Sequence, residues 1–180
     1  MGKKKIDDLS GIEIHDRPMF SSRLGCFSEI YRKNNFDVEF AQDAFSVSDK
    51  INTIRGMHFQ NQPFGQAKLV TVIAGSMLDF VIDIRKNSPT YKDYASIELS
   101  RDNAKMLYIP EGFAHGFKTL QENTCVFYKL SNYYSPAHEI TIKWNDPTIG
   151  INWGEEKIIH FSEKDEAVKS FKAIENNLSF

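Results

Sequence analysis

The sequence predicts an all-β protein, a sandwich or barrel finished by a C-terminal helix. Two features predict the sheets: short runs rich in β-branched and aromatic residues, and turn residues spaced regularly between them. A third feature, apolar residues at helical spacing, is confined to the end of the chain.

Ser28 to Asn35 suits a short helix. Lys68–Ala74 and Met77–Ile84 are β-branched runs split by Gly75-Ser76, the pattern of a hairpin. Tyr94–Leu99, Lys105–Ile109, Gly116–Leu120 and Thr124–Leu130 read as further strands, separated by Asn87-Ser88-Pro89, Arg101-Asp102-Asn103 and Gln121-Glu122-Asn123. Ala167, Val168, Phe171 and Ile174 then form an apolar stripe that predicts a helix over 162–178. Ser162 and Asp165 have the spacing of a capping box at its start. With no internal repeat or low-complexity linker, 1–180 reads as one domain with its core over about 20–153.

Hydrophobic residues at 41% and charged residues at 26% exclude a disordered chain or a collagen-like repeat. Lys plus Arg (22) against Asp plus Glu (24) gives a net charge of −2, which supplies no basic field for nucleic acid. No window has the length of apolar sequence that spans a membrane. Met1 to Ile6 is charged without a following apolar stretch, so it does not read as a secretory signal. Ile6 stands where a myristoylation motif needs Ser or Thr. Cys26 and Cys125, far apart in sequence, read as buried small hydrophobes in a reducing compartment. A soluble cytoplasmic protein is expected.

Of the five histidines, His58 and His115 sit in unusual company. His58 follows Arg55-Gly56-Met57, and His115 closes Pro110-x-Gly112-x-x-His115. The latter resembles the second signature of cupin barrels, in which the histidine points into the barrel mouth. A metal-binding cupin also offers a second histidine and a glutamate in its first signature. Gln60 stands in place of that histidine here, and Lys68, seven residues before Gly75, stands in place of the glutamate. A cationic lysine is a poor neighbour for a divalent metal beside two imidazoles, and two ligands fall short of a metal site. No metal or other cofactor is therefore expected. A histidine, a lysine, an arginine and a tyrosine in one mouth suit proton abstraction next to a ketone, with fixed donors for the enolate oxygen. Composition and spacing leave that as one of several readings.

Longer motifs are more specific. They include Arg55 to Gln60, Ala67 to Val70, Asp83 to Thr90, Ile109 to Phe117, Phe127-Tyr128-Lys129, Asn132 to Pro136 and Trp144 to Trp153. They resemble the dTDP-4-dehydrorhamnose 3,5-epimerases, in order, from about Phe20 to Asp165. The resemblance implies a cupin-type jelly roll that dimerises through exchanged strands and acts, without metal, on a nucleotide-diphosphate-linked 4-keto-6-deoxy sugar. It implies His58 as base, Asp165 as its carboxylate partner, Tyr128 as the acid on the opposite face, and Lys68 near the ketone or phosphate. Phe20, Glu29, Gln42, Arg55, His115 and Tyr134 are implied as substrate-binding residues.

Two positions depart from the family pattern. Leu24 stands where an arginine usually helps hold the diphosphate, and Arg23 beside it would face the other way in a strand. Ala44 replaces an asparagine after Gln42-Asp43. A different nucleotide, a single inverted carbon, or a 3,4-ketoisomerase therefore stay open as alternatives. So does a catalytically idle sugar-nucleotide-binding cupin. Arg85 and Lys86 read as a turn with a solvated face, and Met57, Met106, Trp144 and Trp153 as packing.

Overall fold

The computed structural model describes residues 2–155, 160–162, 165 and 168–180. Two sheets face each other. The six-stranded sheet runs β1 (Lys3–Lys4), β9 (Tyr94–Ser100), β8 (Ser76–Asp83), β11 (Phe113–Thr119), β6 (Ile54–Gln60), β13 (Glu139–Thr141). The five-stranded sheet runs β2 (Glu13–Asp16), β10 (Lys105–Ile109), β7 (Lys68–Ala74), β12 (Thr124–Leu130), β5 (Gln42–Ser48). From β6 onward the chain passes repeatedly from one sheet to the other, which makes a cupin-like jelly roll. A separate hairpin, β3 (Met19–Ser22) with β4 (Gly25–Ser28), is paired with neither sheet.

Period-two patterning sorts the side chains between two cores. Val70 and Val72 on β7, Met77 and Val81 on β8, Phe113 and Phe117 on β11, and Val126 on β12 fill the space between the sheets. Their neighbours Phe80, Ile82, Ala114, Ile54, Met57 and Phe59 face outward. There they are covered by Ile142, Ile149, Trp153, Phe171, Ile174 and Leu178 from the C-terminal part of the chain. Each large buried side chain contributes about 1.5–3 kcal/mol, so the C-terminal wrap is a substantial share of the stability.

Several expectations are corrected. Lys68–Ala74 and Ser76–Asp83 are not a hairpin: β7 pairs with β10 and β12, and β8 with β9 and β11. Gly75 is a corner between sheets, in the left-handed region at φ 76°, where a Cβ would lie 2.5 Å from Thr124 Oγ1. β-branched runs flanking a glycine carry the same signature whether the strands pair or part. The helix over Ser28 to Asn35 reduces to a 3₁₀ turn, Lys33–Asn35, because Gly25–Ser28 is taken up as β4. Of the helix expected over 162–178, residues 163, 164, 166 and 167, including Ala167 of the stripe, lie outside the described residues. Asp165 is helical, 168–170 are not, and the ordered helix α1 is Phe171–Ile174, followed by a 3₁₀ turn, Glu175–Asn177. The core begins before residue 20, since β1 and β2 join the sheets and Leu9 is buried. Cys26 is exposed on the hairpin rather than buried, and Cys125 is half-buried. Arg85 is held rather than solvated: its guanidinium clamps Asp83 at 2.7 and 2.9 Å and lies over the Phe113 ring.

A bulge decides the geometry of the barrel mouth. His115 pairs with His58 but Phe117 pairs with Arg55, so two steps along β11 match three along β6. The extra residue lies at Gly56, whose φ is 126° and whose added Cβ would stand 2.5 Å from Gly116 Cα. Two facing glycines let the strands approach this closely. Arg55 and His58, at odd spacing, would lie on opposite faces of a regular strand; the bulge turns both inward while Ile54 and Met57 stay in the outer core.

Candidate active site

The mouth encloses a cavity of about 270 Å³ with one wall from each sheet. Arg55 and His58 come from β6, His115 from β11, Lys68 from β7, Tyr128 from β12 and Ser46 from β5. Ser162 and Asp165 reach the cavity from outside both sheets.

His58 Nε2 lies 2.6 Å from Asp165 Oδ1, so the neutral imidazole donates from Nε2 and keeps its basic lone pair on Nδ1. Asp165 is buried, and its other oxygen, Oδ2, accepts the Ser162 hydroxyl at 2.8 Å. The backbone N–H of Asp165 also donates to Ser162 Oγ at 3.3 Å. The cap and the carboxylate–histidine pair expected from sequence thus coexist in one residue. The segment is registered on β6 by backbone bonds from Ile54 N to His160 O and from His160 N to Asn52 O.

Lys68 donates to the His58 carbonyl at 3.3 Å. It opens onto the cavity, but its ammonium is surrounded by protein, and this burial lowers its pKa to about 8 against the upward pull of Asp79 and Glu139. Across the cavity, burial pushes the Tyr128 phenol well above its ordinary value, with Ser46 and Arg55 pulling the other way. The hydroxyl is therefore protonated at neutral pH and hydrogen-bonded to Ser46 Oγ at 3.0 Å. His115 stands edge-on to Tyr128, ring centroids 6.4 Å apart. Burial holds its imidazole below the usual range, although Asp79 pulls it up. Arg55 is fixed by Ser48 Oγ at 3.1 Å and Val47 O at 3.2 Å.

Gln60, in the place of a cupin's second histidine, is committed to backbone. It donates to Phe64 O and Tyr133 O, and accepts from Ser135 N at 2.6 Å. Among the described residues, no group of three or more His, Cys, Asp or Glu side chains is placed to hold a metal ion.

The structure therefore brings together His58, Lys68, Tyr128, Asp165, Arg55 and His115. Gln42 and Tyr134 lie at the rim: Gln42 Oε1 accepts from Tyr134 N at 3.1 Å, and the Tyr134 hydroxyl donates to Glu139 at 2.6 Å. Tyr133 and Tyr134 are exposed. Phe20 and Glu29 are outside the cavity; Phe20 is exposed on the β3–β4 hairpin, and Glu29 is clamped by Arg32. Arg23 and Leu24 form the turn of that hairpin, so strand alternation does not govern their direction, and Leu24 is fully exposed.

Asp79 was missed by sequence reasoning. It is fully buried on β8, faces inward between Met77 and Val81, and stands 2.8 Å from His115 Nε2. The available signal was a carboxylate inside an apolar strand run, a position that needs a partner. Ser46 and Glu139 also line the cavity without a sequence signal of their own, and Ser162, which does too, carried only the signal of a cap.

A jelly roll with a histidine–carboxylate pair on one wall and a protonated phenol on the other belongs to the class of acid–base isomerases. The family model for dTDP-4-dehydrorhamnose 3,5-epimerase matches residues 6–173, and the chain belongs to this family of epimerases. It is 45% identical over 156 residues to the dTDP-4-dehydrorhamnose 3,5-epimerase of Sinorhizobium fredii, covering 84% of this chain and 80% of that one. Its fold is similar to the dTDP-6-deoxy-D-glucose-3,5-epimerase of Legionella pneumophila in complex with dTDP-4-keto-L-rhamnose (34% identity, TM-score 0.87, 93% and 92% of the two chains). It is also similar to a 3′-monoepimerase from Streptomyces bikiniensis in complex with dTDP-quinovose (26% identity, TM-score 0.85, 93% and 87%).

Proposed function

We propose that the protein, acting as one domain, inverts C3 and C5 of a dTDP-linked 4-keto-6-deoxy sugar, without a cofactor. The observation that carries this reading is the placement of His58 and Tyr128 on opposite walls of one cavity. Both carbons flank the C4 ketone, so each has an acidic C–H and one enolate site serves both. His58, held by Asp165, takes the proton. Lys68 donates to the developing oxyanion; losing such a donor typically costs about 2.7–4 kcal/mol of barrier. Tyr128 returns a proton to the opposite face. His115 shapes the pocket; Arg55, Gln42 and Tyr134 bind the nucleotide part.

Phe20 and Glu29 reach a site only in a homodimer with exchanged strands. Supporting this are the unattached β3–β4 hairpin, with exposed Phe20 and Phe27, and the open edge strand β5, with exposed Phe45 and Val47. A net charge of −2 argues against a nucleic-acid partner, and among the described residues no helix is long and apolar enough to cross a membrane. A cytoplasmic location fits a nucleotide-sugar substrate.

Inversion of one carbon only is the second reading, favoured by the similarity to a 3′-monoepimerase and by Leu24 and Ala44. Proton NMR in deuterated water with dTDP-4-keto-6-deoxyglucose tests both. Loss of the C3 and C5 proton signals is expected. Loss of one supports the single inversion, and retention of both by folded protein rejects this substrate.

A further inference from the structure

Ser46 has no part in the acid–base scheme above, yet its hydroxyl lies 3.0 Å from the hydroxyl of Tyr128. On β5, residues 42, 44, 46 and 48 face inward while 43, 45 and 47 are exposed. Two of the inward positions hold a cavity group, Ser46 the Tyr128 hydroxyl and Ser48 the Arg55 guanidinium, and Gln42 holds the Tyr134 backbone at the rim. Ser46 is half-buried at the cavity wall on an edge strand, whereas Tyr128 stands on the inner strand β12, between β7 and β5.

We propose that Ser46 is the relay that reloads Tyr128 with a proton after each inversion. The inference rests on His58 and Tyr128 being the base and the acid. One inversion breaks a C–H bond, forms an N–H bond on His58, breaks the Tyr128 O–H bond and forms a new C–H bond on the other face. The sugar is unchanged in composition, but the enzyme is left with an imidazolium and a phenolate. Before the next inversion, the imidazolium must lose a proton to water and the phenolate must gain one from water. Ser46 gives its hydroxyl proton to the phenolate and takes one from water at the mouth, so it ends as it began. A two-carbon epimerase needs this reset between carbons as well as between substrates. Burial raises the Tyr128 pKa above its ordinary value, so the phenolate is a strong base and is readily protonated once a donor reaches it.

Rapid-quench kinetics on Ser46→Val and Ser46→Thr test the relay, since these variants share a shape and differ in the hydroxyl; Ser46→Ala serves as a third variant. Thermal melts select the variants that fold. In Ser46→Val, the first inversion is expected to slow only as far as loss of the hydrogen bond weakens the Tyr128 acid, with an amplitude of about one per active site. Steady inversion then falls about tenfold or more, as for a lost acid–base component. Ser46→Thr is expected to restore the steady rate. A steady rate in Ser46→Val equal to that of Ser46→Thr overturns the relay. So does equal slowing of the first and later inversions, which a structural role predicts. Failure of the base and acid assignments is distinguishable: His58→Asn would keep solvent exchange, or Tyr128→Phe would keep inversion, whatever the Ser46 variants do.

Discussion

His58 and Asp165 are 107 residues apart in the chain and 2.6 Å apart in space. One sits on β6 inside the barrel mouth; the other arrives on a segment outside both sheets, pinned to the start of the same strand through His160. His58 and the carboxylate beside it are thus tied to one strand by two separate routes.

Replacing His58 by Asn should abolish deuterium exchange at both sugar carbons while leaving the melting temperature within a few degrees, because the side chain opens onto a cavity. Asp165→Asn should lower kcat by about a hundredfold or more, since a carboxamide does not stabilise the imidazolium. An Asp165→Asn enzyme with wild-type kcat would sink the pairing.

Tyr128→Phe removes the phenol but keeps the ring that packs against the inner core. Exchange with solvent should continue through His58, with the proton returned to the face it left, while inversion falls. Product stereochemistry against exchange rate reads the difference; equal loss of both would count against an opposite-face acid.

Lys68 gives a pH signature. Its amine is held to about 8 by burial, while in the unfolded chain it titrates near 10.4. Loss of the ammonium above pH 8 should produce an alkaline limb in kcat that Lys68→Met, itself slow, lacks. Between these two values the unfolded chain binds more protons than the folded one, so this group makes stability rise with pH across that window. Below pH 8 both states are protonated and the cost of burying the charge is felt in full. The stability gained by Lys68→Met should therefore be largest below pH 8 and shrink toward pH 10; a gap independent of pH would contradict the assignment.

Gly56→Ala places a Cβ 2.5 Å from the Gly116 backbone at a φ of 126°. A loss of about 2 kcal/mol or more is expected from strain at such a backbone, measured by denaturant unfolding. Activity of the protein that remains folded should also fall, because the bulge that aims Arg55 and His58 into one cavity cannot close. Gly25→Ala, at a φ of 139° with nothing within 4 Å of its Cβ site, is the control for φ alone.

Leu24→Arg tests the altered hairpin turn. If the nucleotide is dTDP and the hairpin reaches the site of a second copy, KM should drop several-fold with kcat little changed. An unchanged KM would place the turn away from the diphosphate.

The strands β7 to β12 were legible because each is a run rich in β-branched and aromatic residues bounded by turn residues, and β7, β10 and β12 have the bounds read from sequence; β1 to β6 and β13, shorter or more polar, were not read as strands. Their partners were not legible. Gly75 looked like a hairpin turn because a local glycine signal does not say whether the next strand pairs with the last or crosses to the other sheet. The helix near residue 30 failed for a similar reason: polar residues with a few aromatics also suit a loop. There Tyr31, Phe36 and Phe40 pack against one another, over His15 and Tyr108.

By itself the sequence determined the class of fold, through runs rich in β-branched and aromatic residues, and the family, through motifs in order along the chain; the roles of His58, Lys68, Tyr128 and Asp165 came only as what that resemblance implies. Tertiary structure decided what those side chains can do. The bulge at Gly56 turned Arg55 and His58 to one face, and the register of β8 set Asp79 beside His115. The approach of β5 gave Tyr128 its serine, and the return of the chain gave His58 its carboxylate. Each of these is a contact between distant parts of the chain, set by sheet register and by what the inner core leaves room for, and no local pattern encodes it.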